Sequence, residues 1–559
     1  MVFLFFCQIY LGAAYSYDAD LFLKQPVVGT WAYPGGRISE RSFACIVKAS
    51  LRKNKASFEI LDDLFDPNTG ELSHYLLPPR KFSIYRVQSQ YLGNLFYIFD
   101  IGLRAVDEDP SIIRELEFDI EEKFKTQGRA DDYPFDDCYQ NRNGYDAEPA
   151  ASATTRWYDV PVKTPQLRKP TSTPTPKTPD LTTLETVSPL APIPTNQILV
   201  IRDAPQELVL LSSPRQGTQG LPSDLPPKIK GTFYNWGMPG NGVVVYVLDT
   251  GCDRSHPEFK NANFEDWIDI GRFPLERGTD VWQNYHGSIM SAHISGDTVG
   301  VSQYAGLVNV PFFDGTLGFE LTTALEVLAK TFDHIKSNNS HRPCILNLSW
   351  GFNLGDDIPF IRALFGDILK ELTNLGNVII VTSAGNDSPA TRITKVPTIY
   401  GYDKSFKNLV VAGAVDPVNF ANLLQSDTML TNMVWALGQS VTELQQPDLR
   451  LDPRYLQRSD YYAKGYGGTS AATATTSGLL AVFLSQNLNS KAPLDEQVSS
   501  AVEKLKTISF PRKEGGVPII HNGFTPDDWP KRDQKLVGYK SKKGKSRCIL
   551  LRLEKYLCF

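Results

Sequence analysis

Three short motifs of the 559-residue chain each place one reactive side chain beside glycine. Asp249 lies in VVVYVLDTG, His286 opens HGSIMSAHISG, and Ser470 lies in GGTSAATATTSG. The order Asp, His, Ser is one of the chain orders known for a Ser-His-Asp triad, in which a carboxylate orients an imidazole that deprotonates a hydroxyl. The three motifs therefore indicate acyl-transfer chemistry.

Each motif sits where one structural element gives way to the next. Asp249 follows six apolar residues, so its carboxylate is expected at the carboxyl end of a strand. His286 and Ser470 open runs typical of helices, and a helix start offers free N–H groups to a developing oxyanion. Taken singly, a turn aspartate, a structural histidine and a helix-capping serine are each common. The hypothesis of a catalytic triad rests on the occurrence of all three motifs in this order.

A fourth residue fits the same chemistry. Asn386 completes the sequence SAGN after the apolar run of residues 378–382. Its side-chain amide could donate the second hydrogen bond to an oxyanion. The alternative for Asn386 alone is a turn-forming asparagine.

The elements around these motifs alternate between strand and helix. Short apolar runs predict buried strands at residues 243–248, 345–348, 378–382 and 409–412. Residues 361–375 carry apolar side chains at helical spacing, and Gly376 follows as a stop signal. Strands that are apolar throughout are typical of a parallel sheet covered on both faces. The predicted class is an α/β fold, a doubly wound, mainly parallel sheet with helices on both faces.

The rest of the chain divides by composition. The predicted segments are a signal peptide (1–16), a small α+β domain with a charged helix near residues 110–125 (17–146), a Pro/Thr-rich linker (147–196), the peptidase-like domain (197–525) and a basic, disordered tail (526–559). The N-terminal apolar run lacks a preceding Lys or Arg, so a misplaced start or a buried strand is the alternative to a signal. For the basic tail, the alternative is a nucleic-acid or membrane-surface patch.

Bulk composition argues against several other classes of function. The net charge of −5 gives no global field toward nucleic acid, and the apolar N-terminus is too short to span a bilayer. Seven cysteines without CxxC spacing and seven scattered histidines argue against a disulfide scaffold or a metal-dependent hydrolase. Whether Cys252 and Cys344 pair, stay free or bind metal is left open by the sequence.

Residues from about 230 to 522 resemble the subtilisin-like serine proteases, most closely the fungal secreted members. The matching motifs are DTG at 249–251, HG at 286–287, NLSWG at 347–351, SAGN at 383–386, VVAGAVD at 410–416 and GTS at 468–470. The resemblance implies that Ser470 is the nucleophile, His286 the general base and then acid, and Asp249 the orienting carboxylate. Asn386 would form the oxyanion hole together with the backbone N–H of Ser470.

The resemblance also implies where a peptide substrate binds. Ser349, Trp350 and Gly351 would form the edge that pairs with the substrate backbone. The pocket wall for the residue before the scissile bond would consist of Ser383, Ala384 and Gly385. The peptide bond between Val396 and Pro397 is expected to be cis. Structural calcium is common in the family, but no ligand set stands out here and the reaction requires no cofactor.

The implied protein is a monomeric serine endopeptidase that acts on proteins or peptides. It would be secreted, with the vacuole as alternative, and made as a zymogen whose pro-region is removed by self-cleavage near residues 197–230. It would bind no nucleic acid and have no stable membrane insertion. At residues 289–292 the chain departs from the family's usual HGTHVAG motif. This departure is expected to affect specificity and stability more than the catalytic triad. The competing hypothesis is an inactive subtilase scaffold that acts as a binding or effector protein.

Overall fold

The computed structural model describes most of the region that carries the motifs. The described residues are 42–53, 83–100, 121, 125, 135–140, 197–213, 231–270, 276–280, 285–312, 321–352, 359–386, 395–417, 420, 430–439, 441–444, 458–459, 462–465, 467–488, 490–524, 535–538, 549–550 and 556–557. The predicted signal peptide and the Pro/Thr-rich linker lie outside them.

The strands and helices follow one another in the alternation that the sequence predicts. In chain order, the strands are β1 (Ser42–Val47), β2 (Ser83–Ser89), β3 (Gly93–Asp100), β4 (Phe135–Gln140), β5 (Gln197–Arg202), β6 (Thr232–Trp236), β7 (Val244–Asp249), β8 (Asn263–Trp267), β9 (Gly306–Pro311), β10 (Cys344–Leu348), β11 (Val378–Ser383), β12 (Leu409–Val415), β13 (Met433–Leu437), β14 (Val441–Leu444), β15 (Arg458–Ser459), β16 (Tyr462–Gly465), β17 (Phe510–Pro511), β18 (Pro518–Ile519), β19 (Lys535–Gly538), β20 (Ile549–Leu550) and β21 (Tyr556–Leu557). The helices are α1 (Gln206–Leu211), α2 (His286–Ser295), α3 (Leu321–Asn338), α4 (Pro359–Asn374), α5 (Gly468–Asn487) and α6 (Leu494–Ile508).

A nine-stranded sheet forms the centre of the fold. Its strand order is β17-β18-β13-β12-β11-β10-β7-β9-β8. All neighbours are parallel except β17 and β18. Because parallel strands share one direction, the residues that end β7, β10, β11 and β13 meet along one rim of the sheet. Asp249 stands at this rim.

Side chains of each central strand alternate between two hydrophobic cores. In β7, Tyr246 and Leu248 pack into the core that contains α3 and α4, whereas Val245 and Val247 pack into the core of α2, α5 and α6. This alternation follows from the two-residue period of a strand. The predicted doubly wound α/β fold is thus confirmed. Helix α4 covers nearly all of the predicted helical stretch, and Gly376 beyond it has φ +79°.

The N-terminal unit is a four-stranded antiparallel sheet in the order β2-β3-β1-β4. Some of its buried side chains, among them Ile46 and Phe96, belong to the same core as α3. Cys45 is disulfide-bonded, and its register partner on β4 is Cys138. Of the predicted charged helix, the described residues Glu121 and Lys125 are helical and form an ion pair of 3.0 Å.

Three smaller sheets complete the description. Strands β14, β16 and β15 form one, β19, β5 and β6 another, and β20 and β21 a third. In the basic tail, β19 pairs in parallel with β5, so the expectation of a disordered tail does not hold for these residues. In this register, Leu536 pairs with Ile198 and Val537 pairs with Leu199. The sequence contains no clear signal for this strand, because basic residues surround the two apolar ones.

Candidate active site

Asp249 and His286 form a direct contact at the rim of the sheet. His286 Nδ1 lies 2.7 Å from Asp249 Oδ1, which also accepts the backbone N–H of Thr250 at 2.8 Å. The carboxylate is 1% exposed and the imidazole 31% exposed, so the pair reaches from the core to the surface. With Nδ1–H donating to Asp249, the other ring nitrogen, Nε2, is left to accept a proton.

The backbone around His286 is held in an unusual geometry. Tyr285, directly before it, has φ +59°, a left-handed conformation that is strained for a bulky residue. The Tyr285 hydroxyl donates to Oδ2 of Asp253. On the other side, a Cβ added to Gly287 would lie 2.2 Å from the carbonyl oxygen of Gly251. The glycine after His286 therefore lets α2 begin directly against the loop that follows Asp249.

Negative charge surrounds the imidazole. Burial favours the neutral form, but the carboxylates of Asp249, Asp280 and Glu443 outweigh it and raise the pKa of His286 above its ordinary value of 6.5. Asp280 is itself held in place, since its Oδ2 accepts the N–H and the hydroxyl of Ser288 at 2.8 and 2.7 Å. Burial raises the pKa of Asp280. The imidazolium that general-base catalysis creates would therefore be stabilised.

Ser470 lies in the first turn of α5 and is tied to the end of β10. Its hydroxyl donates to the carbonyl oxygen of Ser349 at 3.0 Å, and the Ser349 hydroxyl donates to the carbonyl oxygen of Ser470 at 3.3 Å. No hydrogen bond joins the two described side chains of Ser470 and His286. The residue Ser470 is 7% exposed. The structure thus contains the predicted contact between Asp249 and His286. The predicted hydrogen bond between Ser470 and His286 is not formed.

Asn386 lies beside the residue that precedes Ser470. Its Oδ1 accepts the backbone N–H and the hydroxyl of Thr469, both at 2.9 Å. A Cβ on Gly468 would lie 2.7 Å from the same oxygen, so only glycine fits there. Because Thr469 fixes the oxygen, the donating Nδ2 group of Asn386 is turned away from it. Nδ2 is the group of Asn386 that an oxyanion role would require as the donor.

The two predicted substrate segments lie next to each other. The Ser383 hydroxyl donates to the carbonyl oxygen of Trp350 at 3.5 Å. Trp350 is 5% exposed, and its indole N–H donates to Leu248, so its side chain belongs to the core and only its backbone is left for a substrate. Gly351 is exposed, Ala384 is buried, and Gly385 has φ +102°. The Val396–Pro397 peptide bond is cis, as predicted.

Two cysteines and two histidines outside the proposed triad have structural positions. Cys252 and Cys344 are buried, free thiols, which decides among the alternatives that the sequence left open. His256 Nδ1 accepts the N–H of Glu258 at 3.1 Å, and His293 is buried in α2. Within the described part of the chain, no three His, Cys, Asp or Glu side chains cluster as metal ligands. No described helix is both long and apolar enough to cross a bilayer.

Sequence reasoning missed several residues that shape the site. Asp280 and Glu443 raise the pKa of His286 through their charges, and Tyr285 directly precedes His286 in a left-handed conformation. Asp280 gave no signal because it lies outside any periodic run. Tyr285 could have been noticed as the bulky residue that directly precedes the HG motif.

The doubly wound sheet and the positions of Asp249, His286 and Ser470 fit the resemblance to subtilisin-like proteins. Residues 240–508 match the model of the subtilase family. The chain therefore carries a subtilase-family region, and the resemblance predicted from its motifs is confirmed.

Known relatives agree with this assignment. The chain is similar to Subtilisin-like protease 2 of Arthroderma otae, with 24% identity over 312 residues that cover 55% of this chain and 64% of the relative. It is also similar to the Cuticle-degrading serine protease of Arthrobotrys oligospora, with 26% identity over 298 residues, 52% of this chain and 64% of the relative. The chain thus spans just under two thirds of the length of these relatives. A solved cold-adapted subtilisin-like serine proteinase shows 20% identity, covers 57% of this chain and 98% of its own, and has a TM-score of 0.41.

Proposed function

We propose that the chain is a serine endopeptidase that hydrolyses peptide bonds through an acyl-enzyme. The observation that carries the proposal is the 2.7 Å contact between Asp249 and His286 at the same rim of the sheet as Ser470 and Asn386. A buried carboxylate, a partly exposed imidazole and a hydroxyl at a helix start match the roles of orienter, base and nucleophile.

In the proposed reaction, Ser470 Oγ leaves the carbonyl oxygen of Ser349 and turns to Nε2 of His286. His286 takes the hydroxyl proton while Oγ attacks the substrate carbonyl carbon. The resulting oxyanion accepts hydrogen bonds from Nδ2 of Asn386 and the N–H of Ser470. His286 then gives its proton to the leaving amine, and a water molecule repeats the sequence on the acyl-enzyme. No cofactor takes part in these steps.

The proposed substrate is an extended protein or peptide segment. Gly351 is exposed at the end of the segment that follows β10, and Phe352 forms an isolated antiparallel bridge with Val396. A substrate strand would lie along Ser349, Trp350 and Gly351, and its residue before the scissile bond would face Ser383, Ala384 and Gly385. We propose a monomer that is secreted, with the vacuole as alternative, and that binds neither nucleic acid nor a bilayer core.

We also propose that the N-terminal unit is a pro-region that keeps the protein a zymogen. Asp333 of α3 accepts the Ser89 hydroxyl at 2.5 Å and the backbone N–H of Gln90 at 2.7 Å. The rings of Tyr91 and Phe332 pack edge to face. The turn between β2 and β3 thus adds polar contacts with α3 to the hydrophobic core that the unit shares with this helix.

Labelling with a fluorophosphonate, followed by peptide mapping, tests the proposed function. We expect the label on Ser470, casein hydrolysis by the same preparation, and loss of both in Ser470→Ala. Ser477→Ala is the matched control, because Ser477 lies in the same helix and donates to Asn347 inside the core. A folded protein that takes no label and hydrolyses nothing would favour the inactive scaffold instead.

A further inference from the structure

A buried carboxylate contacts β14, the strand that packs against the helix beginning at His286. Glu207 of α1 is 3% exposed, and its Oε1 accepts the backbone N–H of Thr442 at 2.7 Å. Burying a carboxylate is unfavourable unless donors satisfy it, and hydrogen bonds to a charged acceptor are stronger than neutral ones. The contact between Glu207 and Thr442 is therefore a strong, specific one.

This contact fixes the outer strand of a small sheet. In the order β14-β16-β15, β14 is at the edge, and Thr442 stands opposite Lys464 of β16. An N–H group that points outward from an edge strand has no partner in its own sheet. Glu207 supplies a partner for this N–H group, so α1 contacts the outer strand of the small sheet directly.

Strand β14 borders both the nucleophile motif and the histidine helix. Gly438, just before β14, accepts the backbone N–H of Gly468 at 2.8 Å. A Cβ on Gly467 would lie 2.8 Å from Cγ2 of Val441. Strand β14 also packs against α2, the helix that begins at His286. A displacement of β14 would therefore change the positions of both reacting side chains, those of His286 and Ser470.

We propose that Glu207 is a positioning residue of the active site, which holds β14 against the start of α2 through the N–H of Thr442, and that residues 197–213 consequently belong to the active enzyme. The catalytic part of this inference rests on the proposed function. The positioning itself concerns the folded protein and can be measured without turnover.

The charge pattern around His286 supports this role. Glu443 directly follows Thr442 and is one of three carboxylates, with Asp249 and Asp280, that raise the pKa of His286 against the effect of burial. Asp249 ends β7 and Asp280 is bound to Ser288 of α2, so both are held independently of β14. Of the three, Glu443 is the one whose distance from the imidazole depends on Glu207.

The segment that delivers Glu207 is firmly attached to the peptidase region. Strand β5 pairs with β6 over five residues. Arg512 donates to the carbonyl oxygens of Ser213 and Leu210 at 3.2 and 2.6 Å, and Asn522 donates its N–H to Leu211 at 2.8 Å. Removal of residues 197–213 would strip these partners from buried groups. Self-cleavage is therefore expected N-terminal to β5, and not within the interval 197–230 that the resemblance suggested.

The test is the NMR titration of His286 in the full-length Ser470→Ala protein, which does not need catalysis. In this background, Glu207→Ala should lower the pKa of His286, because β14 and Glu443 move away from the imidazole. Glu207→Gln keeps an acceptor oxygen for Thr442 and should restore the original value. Leu210→Ala removes core packing from the same helix, so it should lower the melting temperature without shifting the pKa.

A double-mutant cycle links the effect to β14. Glu443→Gln should lower the pKa of His286 by itself, and adding Glu207→Ala should then change it little. If Glu207→Ala does not fold, Glu207→Asp keeps the charge but shortens the reach, and it should shift the pKa in the same direction. An unchanged pKa in the folded variants overturns the positioning role, whatever the labelling of Ser470 shows.

The processed wild-type protein provides the second readout. Its intact mass, measured under denaturing conditions, should show that residues 197–213 remain with the active protein. An active form that lacks them overturns the inference while leaving the proposed peptidase function intact. A protein that takes no phosphonate label but shows the expected pKa shift overturns the proposed function alone.

Discussion

His521 donates from Nε2 to the carbonyl oxygen of Ser213 at 2.9 Å, while its Nδ1 accepts the backbone N–H of Gly523 at 3.0 Å. Both ring nitrogens are thus used in a way that only the neutral imidazole allows, since the charged form carries a proton on each nitrogen. The bond joins the end of α1 to the last described part of the peptidase region.

We predict that this histidine makes the fold sensitive to acid. Burial, with the charge of Arg512 as second cause, lowers the pKa of His521 from 6.5 to about 3. Between these two values the unfolded chain binds a proton that the native protein does not, so stability falls as the pH drops below 6.5, by at most about 1.4 kcal/mol per pH unit. The melting temperature of Ser470→Ala, followed from pH 8 to pH 4, should decline through this window.

The histidine responsible can be identified by substitution. His521→Gln keeps a donor for Ser213 without a titrating ring, so its melting temperature should depend less on pH. His341→Gln is the control, because His341 is exposed on the surface. Equal pH dependence in both variants would exclude His521 as the source.

We predict that Asn386 acts on the transition state and not on substrate binding. Asn386→Ala should lower kcat by about 10²- to 10³-fold with little change in KM, because an oxyanion donor is lost. Thr469→Ala removes one of the two bonds to Oδ1 and leaves the backbone N–H in place, so it should cost far less. A rise in KM with unchanged kcat in Asn386→Ala would instead assign Asn386 to the substrate pocket.

We predict an acid limb in the pH profile of kcat/KM that reports His286. The base form is needed for catalysis, and the raised pKa delays its formation, so the midpoint should lie above 6.5. Asp280→Asn removes one of the carboxylates that raise this pKa, and the midpoint should move to lower pH. A flat profile between pH 5 and pH 9 would contradict a histidine base.

The chemistry-bearing motifs were readable from the sequence because each is local. Asp249 ends an apolar strand, His286 and Ser470 open helices, and Asn386 follows β11, so strand direction alone brings them to one rim. The buried strands β7, β10, β11 and β12 were predicted for the same reason. Their uninterrupted apolar runs carry the signal.

Contacts between distant segments were not readable in this way. Glu207 and Thr442 are 235 positions apart, and a single Glu in a short helix looks like any surface carboxylate. Strand β14 has only two buried residues, Val441 and Leu444, which is too few for a periodic pattern. The direction of the Ser470 hydroxyl toward Ser349 is a rotamer choice that packing decides and that residue order does not encode.

The attachment of the N-terminal unit provides the last prediction. Asp333 accepts three hydrogen bonds from the turn after β2, from the Ser89 hydroxyl and the N–H groups of Gln90 and Tyr91, whereas Asp367 forms one ion pair of 3.0 Å with Arg52 and is half exposed. Exposed ion pairs contribute little to the free energy of folding, whereas leaving partly buried hydrogen-bond donors without acceptors reduces stability more. In Ser470→Ala, Asp333→Ala should therefore speed trypsin cleavage of the N-terminal unit, and Asp367→Asn should leave it near the parent rate. The reverse order would mean that the ion pair to α4 holds the unit and that the turn only rests on α3.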